Sequence, residues 1–133
     1  MNKLEHIGIA VSNLDKSTEL FSKILGKNSY KSEVIKSEGV RTTFFKIGDV
    51  KLELVGAINQ HNAISKYLEN HSEGIHHIAL LVEDIYAEID RIKKIGIRVL
   101  NEDPKTGADN KLISFLHPKD TNGVLIELCQ ETT

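Results

Sequence analysis

LEHIGIAV, residues 4–11, returns as IHHIALLV, residues 75–82, and the match sets His6 against His77. A second pair of segments repeats in the same order. VKLELV at 50–55 returns as VLIELC at 124–129, setting Glu53 against Glu127. The offset is 71 residues at the histidines and 74 at the glutamates, so the two copies differ only by small insertions. Self-similarity over such a span marks a duplicated supersecondary unit and decides the architecture before any single element is read.

Working outward, the segment after each histidine strand has helical periodicity. In residues 12–26 the stripe is Leu14, Leu20, Phe21, Ile24 and Leu25, and in residues 83–96 it is Ile85, Ile89, Ile92 and Ile95. Ser12 with Asp15 reads as a capping box, Asp84 as an N-cap, and Gly26 and Gly96 as stops. Strands are predicted at 29–36, 41–47 and 50–55, and again at 97–101, 111–117 and 124–130, with turns at Gly48-Asp49 and in HPKDTNG, residues 117–123. Each module is therefore βαβββ. The chain reads as one domain, 1–133, made of modules at about 4–56 and 75–130. The connector at 57–74 carries a short helix from Ala63 to Asn70 and has no Gly/Ser-rich linker character.

Alternation along the strands points to chemistry. His6, Gly8 and Ala10 share one face of the first strand, opposite Ile7, Ile9 and Val11. His77, Ala79 and Leu81 do the same in its copy. Glu53 and Glu127 face away from Leu52, Leu54, Ile126 and Leu128. A single strand histidine or glutamate is usually structural. Two of each at matched positions of a repeat are a ligand set for a borderline divalent ion, because a half-buried carboxylate is costly unless it is paired or metal-bound. His76 points to the opposite face and is read as structural, and His61, His71 and His117 lie in loops or at helix ends and are not read as ligands. Cys129 shares the Glu127 face as a buried small hydrophobe. Arg91, Lys93 and Lys94 form a solvated helix face. Arg41, Lys105, Lys111 and Lys119 lie in or beside loops and are candidates to contact an anionic substrate tail.

Composition narrows the classes further. Of 133 residues, 40% are apolar and 27% charged, ordinary values for a globular protein, and a net charge of −2 gives no footprint for nucleic acid or an anionic membrane. One cysteine excludes an intrachain disulfide and fits a cytoplasmic protein. No apolar run is long enough to span a bilayer.

The repeat, the ligand spacing and the strings EHIGIAV, LELV, GIHHIALLV, FLHPKD and GVLIEL resemble the vicinal oxygen chelate superfamily over residues 4–130. The resemblance implies an α+β fold in which two tandem βαβββ modules form a curved, cupped mixed sheet. It also implies one divalent ion held by His6, Glu53, His77 and Glu127. Two relatives fit. GIHHIALLVEDI, GIRVLNEDPKTGA and FLHPKD resemble methylmalonyl-CoA epimerase. Two features depart from it. Gly56 and Asn62-Ala63 stand where the epimerases have a Pro and a Ser-Pro-Ile-like helix start. Thr42, after Gly39-Val40, stands where some carry an extra carboxylate.

The expected function is thus that of a short bacterial glyoxalase I (lactoylglutathione lyase) of the nickel-activated type. Methylmalonyl-CoA epimerase is the alternative, and a non-catalytic small-molecule binder of the same fold comes third. The family chemistry implies proton transfer next to a carbonyl, with Glu127 as the main base and Glu53 as its partner, and with Ni²⁺ or Co²⁺ as Lewis acid. The expected partners are a small-molecule thiol adduct or thioester and a second copy of the chain in a homodimer.

Overall fold

The computed structural model describes Met1 and residues 3–132. The first repeat supplies β1 (Lys3–Ala10), α1 (Leu14–Leu25), β2 (Lys31–Ile35), β3 (Val40–Ile47) and β4 (Val50–Ala57). After the connector helix α2 (Ala63–Asn70), the second supplies β5 (Gly74–Leu81), α3 (Ile85–Lys94), β6 (Lys105–Thr106), β7 (Lys111–Phe115) and β8 (Ile126–Glu131). The expected βαβββ order is therefore present twice, in a mixed sheet. No helix among the described residues is long and apolar enough to cross a membrane.

The chain divides into two compact units, Ile7–His76 and the combination of Met1–His6 with His77–Thr133. It thus leaves one unit directly after His6 and re-enters it at His77. Within Ile7–His76 the strand order is β2-β3-β4-β1, with β2, β3 and β4 antiparallel. One face of that sheet lies under α1, where Val11, Leu14, Phe45 and Leu54 are buried with Ile9, Phe21, Leu25 and Leu52. The other face carries Ala10, Val40 and Val55 against Ile64, Tyr67 and Leu68 of α2. Gly56 lets α1 come close: a Cβ there would lie 3.1 Å from Leu14 Cβ.

In the other unit the order is β1-β5-β8-β7-β6, with β5 and β8 parallel and β8, β7 and β6 antiparallel. Val82, Ile85, Ile89, Ile92, Leu116 and Leu128 form the core beneath α3. The opposite face carries Ala79, Ile113 and Cys129, flanked by Leu81 and Phe115. Burying such aliphatic side chains stabilises each unit by about 1.5–3 kcal/mol per residue.

Several local expectations are corrected. Leu20 and Ile24 are 54% and 65% exposed. At 100° per residue they fall well off the stripe set by Leu14, Phe21 and Leu25. The α1 N-cap is Asn13, whose side chain accepts from the Lys16 N–H, while the Ser12 N–H donates to Glu73 Oε2 at 2.6 Å. Asp84 caps α3 as predicted, and Gly26 closes α1 in the left-handed conformation. Residues 97–101 form a single bridge, Val99 to Leu116, and not a full strand, and the two-residue β6 takes the edge position instead.

Candidate metal centre

Strand alternation delivers the predicted donors. His6 of β1 and His77 of β5 are buried, 5% and 6% exposed. On β8, Glu127 lies opposite Ala79 of β5 and Phe115 of β7, and is also buried. The two Nε2 atoms are 3.0 Å apart. Glu127 Oε2 is 3.7 Å from His6 Nε2, and its Oε1 is 3.4 Å from His77 Nε2. Among the described residues, His6, His77 and Glu127 form a group able to hold a metal ion. The rings meet edge-to-face with centroids 5.1 Å apart, and Phe115 meets His77 in the same way at 5.9 Å.

The donor set fits a divalent cation on three counts. Ligand atoms that each sit about 2.0–2.2 Å from one ion lie about 3.0–3.5 Å from one another, the range seen for the closer pairs here. His6 Nδ1 is 3.0 Å from Glu5 Oε1. With Nδ1–H donating to that carboxylate, Nε2 keeps its lone pair, which is the second-shell arrangement that fixes a ligating histidine. Finally, Glu5 and Glu127 are both buried beside two imidazoles, and the cost of burying two carboxylates is offset by a bound cation.

Sequence reasoning did not single out Glu5. As His6's immediate neighbour on a strand it should face the other way, and its only signal is a carboxylate at the head of an apolar run. The structure brings together three of the four predicted ligands. Glu53 belongs to the other unit, where it is buried on β4 opposite Phe44 of β3.

The proposed substrate contacts fare differently. Arg41 is ion-paired with Asp15 at 2.8 Å. Lys111 is buried with its ammonium 2.6 Å from Asp109 Oδ2. Lys105 and Lys119 are exposed. His71 stacks on Tyr67, His76 meets Tyr67 edge-on, and His117 Nδ1 accepts from the Lys119 N–H. The FLHPKD string does structural work: Asp120 accepts from the backbone N–H of Arg98 and from its Nε and Nη2, at 2.8–2.9 Å. The guanidinium and backbone donors of Arg98 hold the Asp120 carboxyl far below the usual carboxylate range. Arg91, Lys93 and Lys94 pair with Glu88, Glu102 and Asp90 on the solvated face of α3.

A family model described as the Glyoxalase/Bleomycin resistance protein/Dioxygenase superfamily matches residues 5–115. The chain belongs to that superfamily. Among the superfamily's members it is 37% identical to the human mitochondrial methylmalonyl-CoA epimerase, over 98% of this chain and 74% of that one. It is 39% identical to the ethylmalonyl-CoA/methylmalonyl-CoA epimerase of Cereibacter sphaeroides, over 98% of both. A Streptomyces coelicolor methylmalonyl-CoA epimerase in complex with 2-nitronate-propionyl-CoA superposes with a TM-score of 0.95 at 35% identity, covering 100% of this chain and 96% of the other. The expected superfamily fold is thus the observed one, and the chain is similar to enzymes throughout its length.

These matches overturn the glyoxalase I expectation. Probable lactoylglutathione lyases are more distant, at 32% identity for Synechocystis and 29% for Vibrio cholerae. Of the two departures from the epimerases, the first, Gly56 with Asn62-Ala63, has a physical explanation in the backbone. Gly56 answers the close approach of Leu14, and Asn62 is the N-cap of α2, its side chain accepting from the Ser65 N–H at 2.8 Å. Both residues serve helix placement, so neither discriminates between substrates.

Proposed function

We propose that this protein is an epimerase of a 2-alkylmalonyl-CoA thioester, with methylmalonyl-CoA as its substrate. The observation that carries the reading is the full-length likeness to epimerases, both in sequence and in fold. The buried His6–His77–Glu127 group supports it. Inversion at C2 requires loss of a proton flanked by a thioester carbonyl and a carboxylate, and its return to the other face.

His6, His77 and Glu127 would hold a divalent ion, with Glu53 as fourth ligand on the strength of the repeat. When bound, that ion supplies Lewis-acid polarisation of a carbonyl oxygen. Glu5 keeps His6 in the tautomer that ligates. Phe115, Ala79 and Cys129 make the surroundings apolar, which strengthens electrostatic interactions there. Glu127 is the proposed base for one face of the substrate and Glu53 for the other, a carboxylate being suited to general base work when its environment tunes it. Nitrogen and oxygen donors together suit Co²⁺ or Ni²⁺ over Zn²⁺, which tends toward four-coordination. A cytoplasmic homodimer is part of the proposal.

Deuterium exchange tests it. Metal-loaded protein in D₂O is expected to wash deuterium into C2 of (2S)-methylmalonyl-CoA and to form the 2R epimer. Exchange no faster than in protein-free buffer, with metal bound, sinks the reading.

A further inference from the structure

In Ile7–His76 the outer strand is β2, and among the described residues no strand pairs with its far side. It is five residues long and carries no proline. In the other unit the outer strand, β6, is two residues long. So short an edge offers little to pair with, whereas five residues are a template for a further strand.

The phase of the ladder shows what that edge presents. Gly39 and Ile58 continue the β3–β4 register, and the Ile58 N–H donates to Gly39 O at 2.9 Å. Bonded and non-bonded pairs alternate in an antiparallel ladder, so Arg41 and Thr43 bond to β4 while Val40, Thr42 and Phe44 bond to β2. Opposite those three stand Ile35, Glu33 and Lys31. Ser32 and Val34 therefore turn their backbone N–H and C=O outward. Val34 is 50% exposed, and Tyr30, directly before the strand, is 49% exposed.

A second copy can pair with this edge about a two-fold axis only in registers that keep the phase. Three lie near the strand centre. With Ser32 opposite the partner's Tyr30, Lys31 meets the partner's Lys31. With Ser32 opposite the partner's Val34, Glu33 meets the partner's Glu33. With Ser32 opposite the partner's Ser32, Lys31 meets the partner's Glu33 and Val34 meets the partner's Tyr30, each twice by symmetry. Like charges directly opposite are destabilising, so only the last register is complementary, and it also covers both exposed apolar side chains. Within one chain Lys31 and Glu33 pair at 3.6 Å with side chains 35% and 29% exposed, which leaves both within reach of a partner.

We propose that Tyr30–Val34 is a self-association edge, on which two copies join β2 to β2, antiparallel, with Ser32 at the two-fold axis. The inference rests on the homodimer reading above and is independent of the substrate. So short a ribbon buries less than the about 1,600 Å² of a standard interface, and the expected Kd is about 1–100 µM, rising with salt.

The test is sedimentation velocity on the full chain from about 1 to 500 µM, a range that spans that Kd, with melting followed by circular dichroism. Wild type is expected to show a reversible monomer–dimer equilibrium. Lys31→Glu and Glu33→Lys each set like charges opposite one another twice, and each is expected to raise Kd about tenfold or more. An equimolar mixture of the two variants is expected to return to within about threefold of wild type, because opposite charges then meet between chains and not within them. Val34→Pro deletes an outward N–H, leaves the β2–β3 bonds in place and is expected to abolish association.

A wild type that stays monomeric overturns both this inference and the homodimer reading. A dimer whose Kd is unchanged in both charge variants overturns the inference alone, since the copies then meet on another face. Charge variants that are monomeric and stay so when mixed overturn it as well, because the charges then act within one chain. If Val34→Pro does not fold, the charge variants and their mixture decide.

Discussion

The two repeats use one register for different ends. In each, a phenylalanine faces a buried glutamate across the last two strands, Phe44 with Glu53 and Phe115 with Glu127. In each, a helix covers the apolar face. They part company on the other face. In Ile7–His76, α2 covers Ala10, Val40 and Val55. In the other unit the corresponding face carries Ala79, Ile113 and Cys129 with their flanking residues, and the candidate donor Glu127 lies opposite Ala79.

The residue before each histidine differs as well. Glu5 reaches His6 Nδ1, whereas its counterpart His76 packs edge-on against Tyr67. Duplication fixes backbone and register. Single substitutions on the face left over decide which copy carries ligand-orienting groups.

The largest effect that would break this asymmetry is at Glu127. Glu127→Gln is expected to keep the fold and lower kcat for epimerisation by about 10²–10⁴. A rate within tenfold of wild type, read by deuterium exchange, would remove Glu127 from the chemistry.

Next in size is the orienting carboxylate. Glu5→Gln is expected to weaken metal binding about 10–100-fold in chelator competition, because the imidazole loses its fixed tautomer. His76→Ala, changed at the matching position, should leave metal affinity alone. Equal losses in both variants would mean that the residue before the histidine supports only the strand.

The smallest effect concerns the turn into the last strand, two residues at Gly48-Asp49 in the first repeat and the Arg98–Asp120 clasp in the second. The folded carboxyl titrates below its unfolded value, so the clasp's contribution is present above the ordinary carboxylate range, about pH 4, and is lost as pH falls further. Asp120→Asn is expected to lower the melting temperature slightly at pH 7 and to narrow its gap to wild type toward pH 2. A gap independent of pH would show that the carboxyl does not act through its charge. The pair is solvent-exposed enough for the effect to be modest.

Much of this was readable in the chain because periodicity and duplication are local signals. The histidine strands, the Ile85–Ile89–Ile92 stripe, the Asp84 cap and the βαβββ order all depend on spacing alone. What escaped depended on tertiary contact. Asn13, not Ser12, caps α1, and the Ser12 N–H is engaged by Glu73, sixty-one residues away. Glu5 acquires its role from a side-chain turn that strand alternation does not encode. The substrate class was misjudged at Thr42 and at Gly56 and Asn62, where at the latter two packing against Leu14 and capping of α2 imitate a functional difference. Ligand residues shared by two reactions could not separate them.

The crossing points of the chain have one more consequence. The unit that gathers His6, His77 and Glu127 takes its first six residues from one repeat and the remainder from the other. A gene fragment encoding either repeat alone therefore specifies an incomplete donor set: His6 without its partners, or His77 and Glu127 without His6. The candidate donor set is thus assembled by complementation, and a protein cut in the connector regains it only when both pieces are present together.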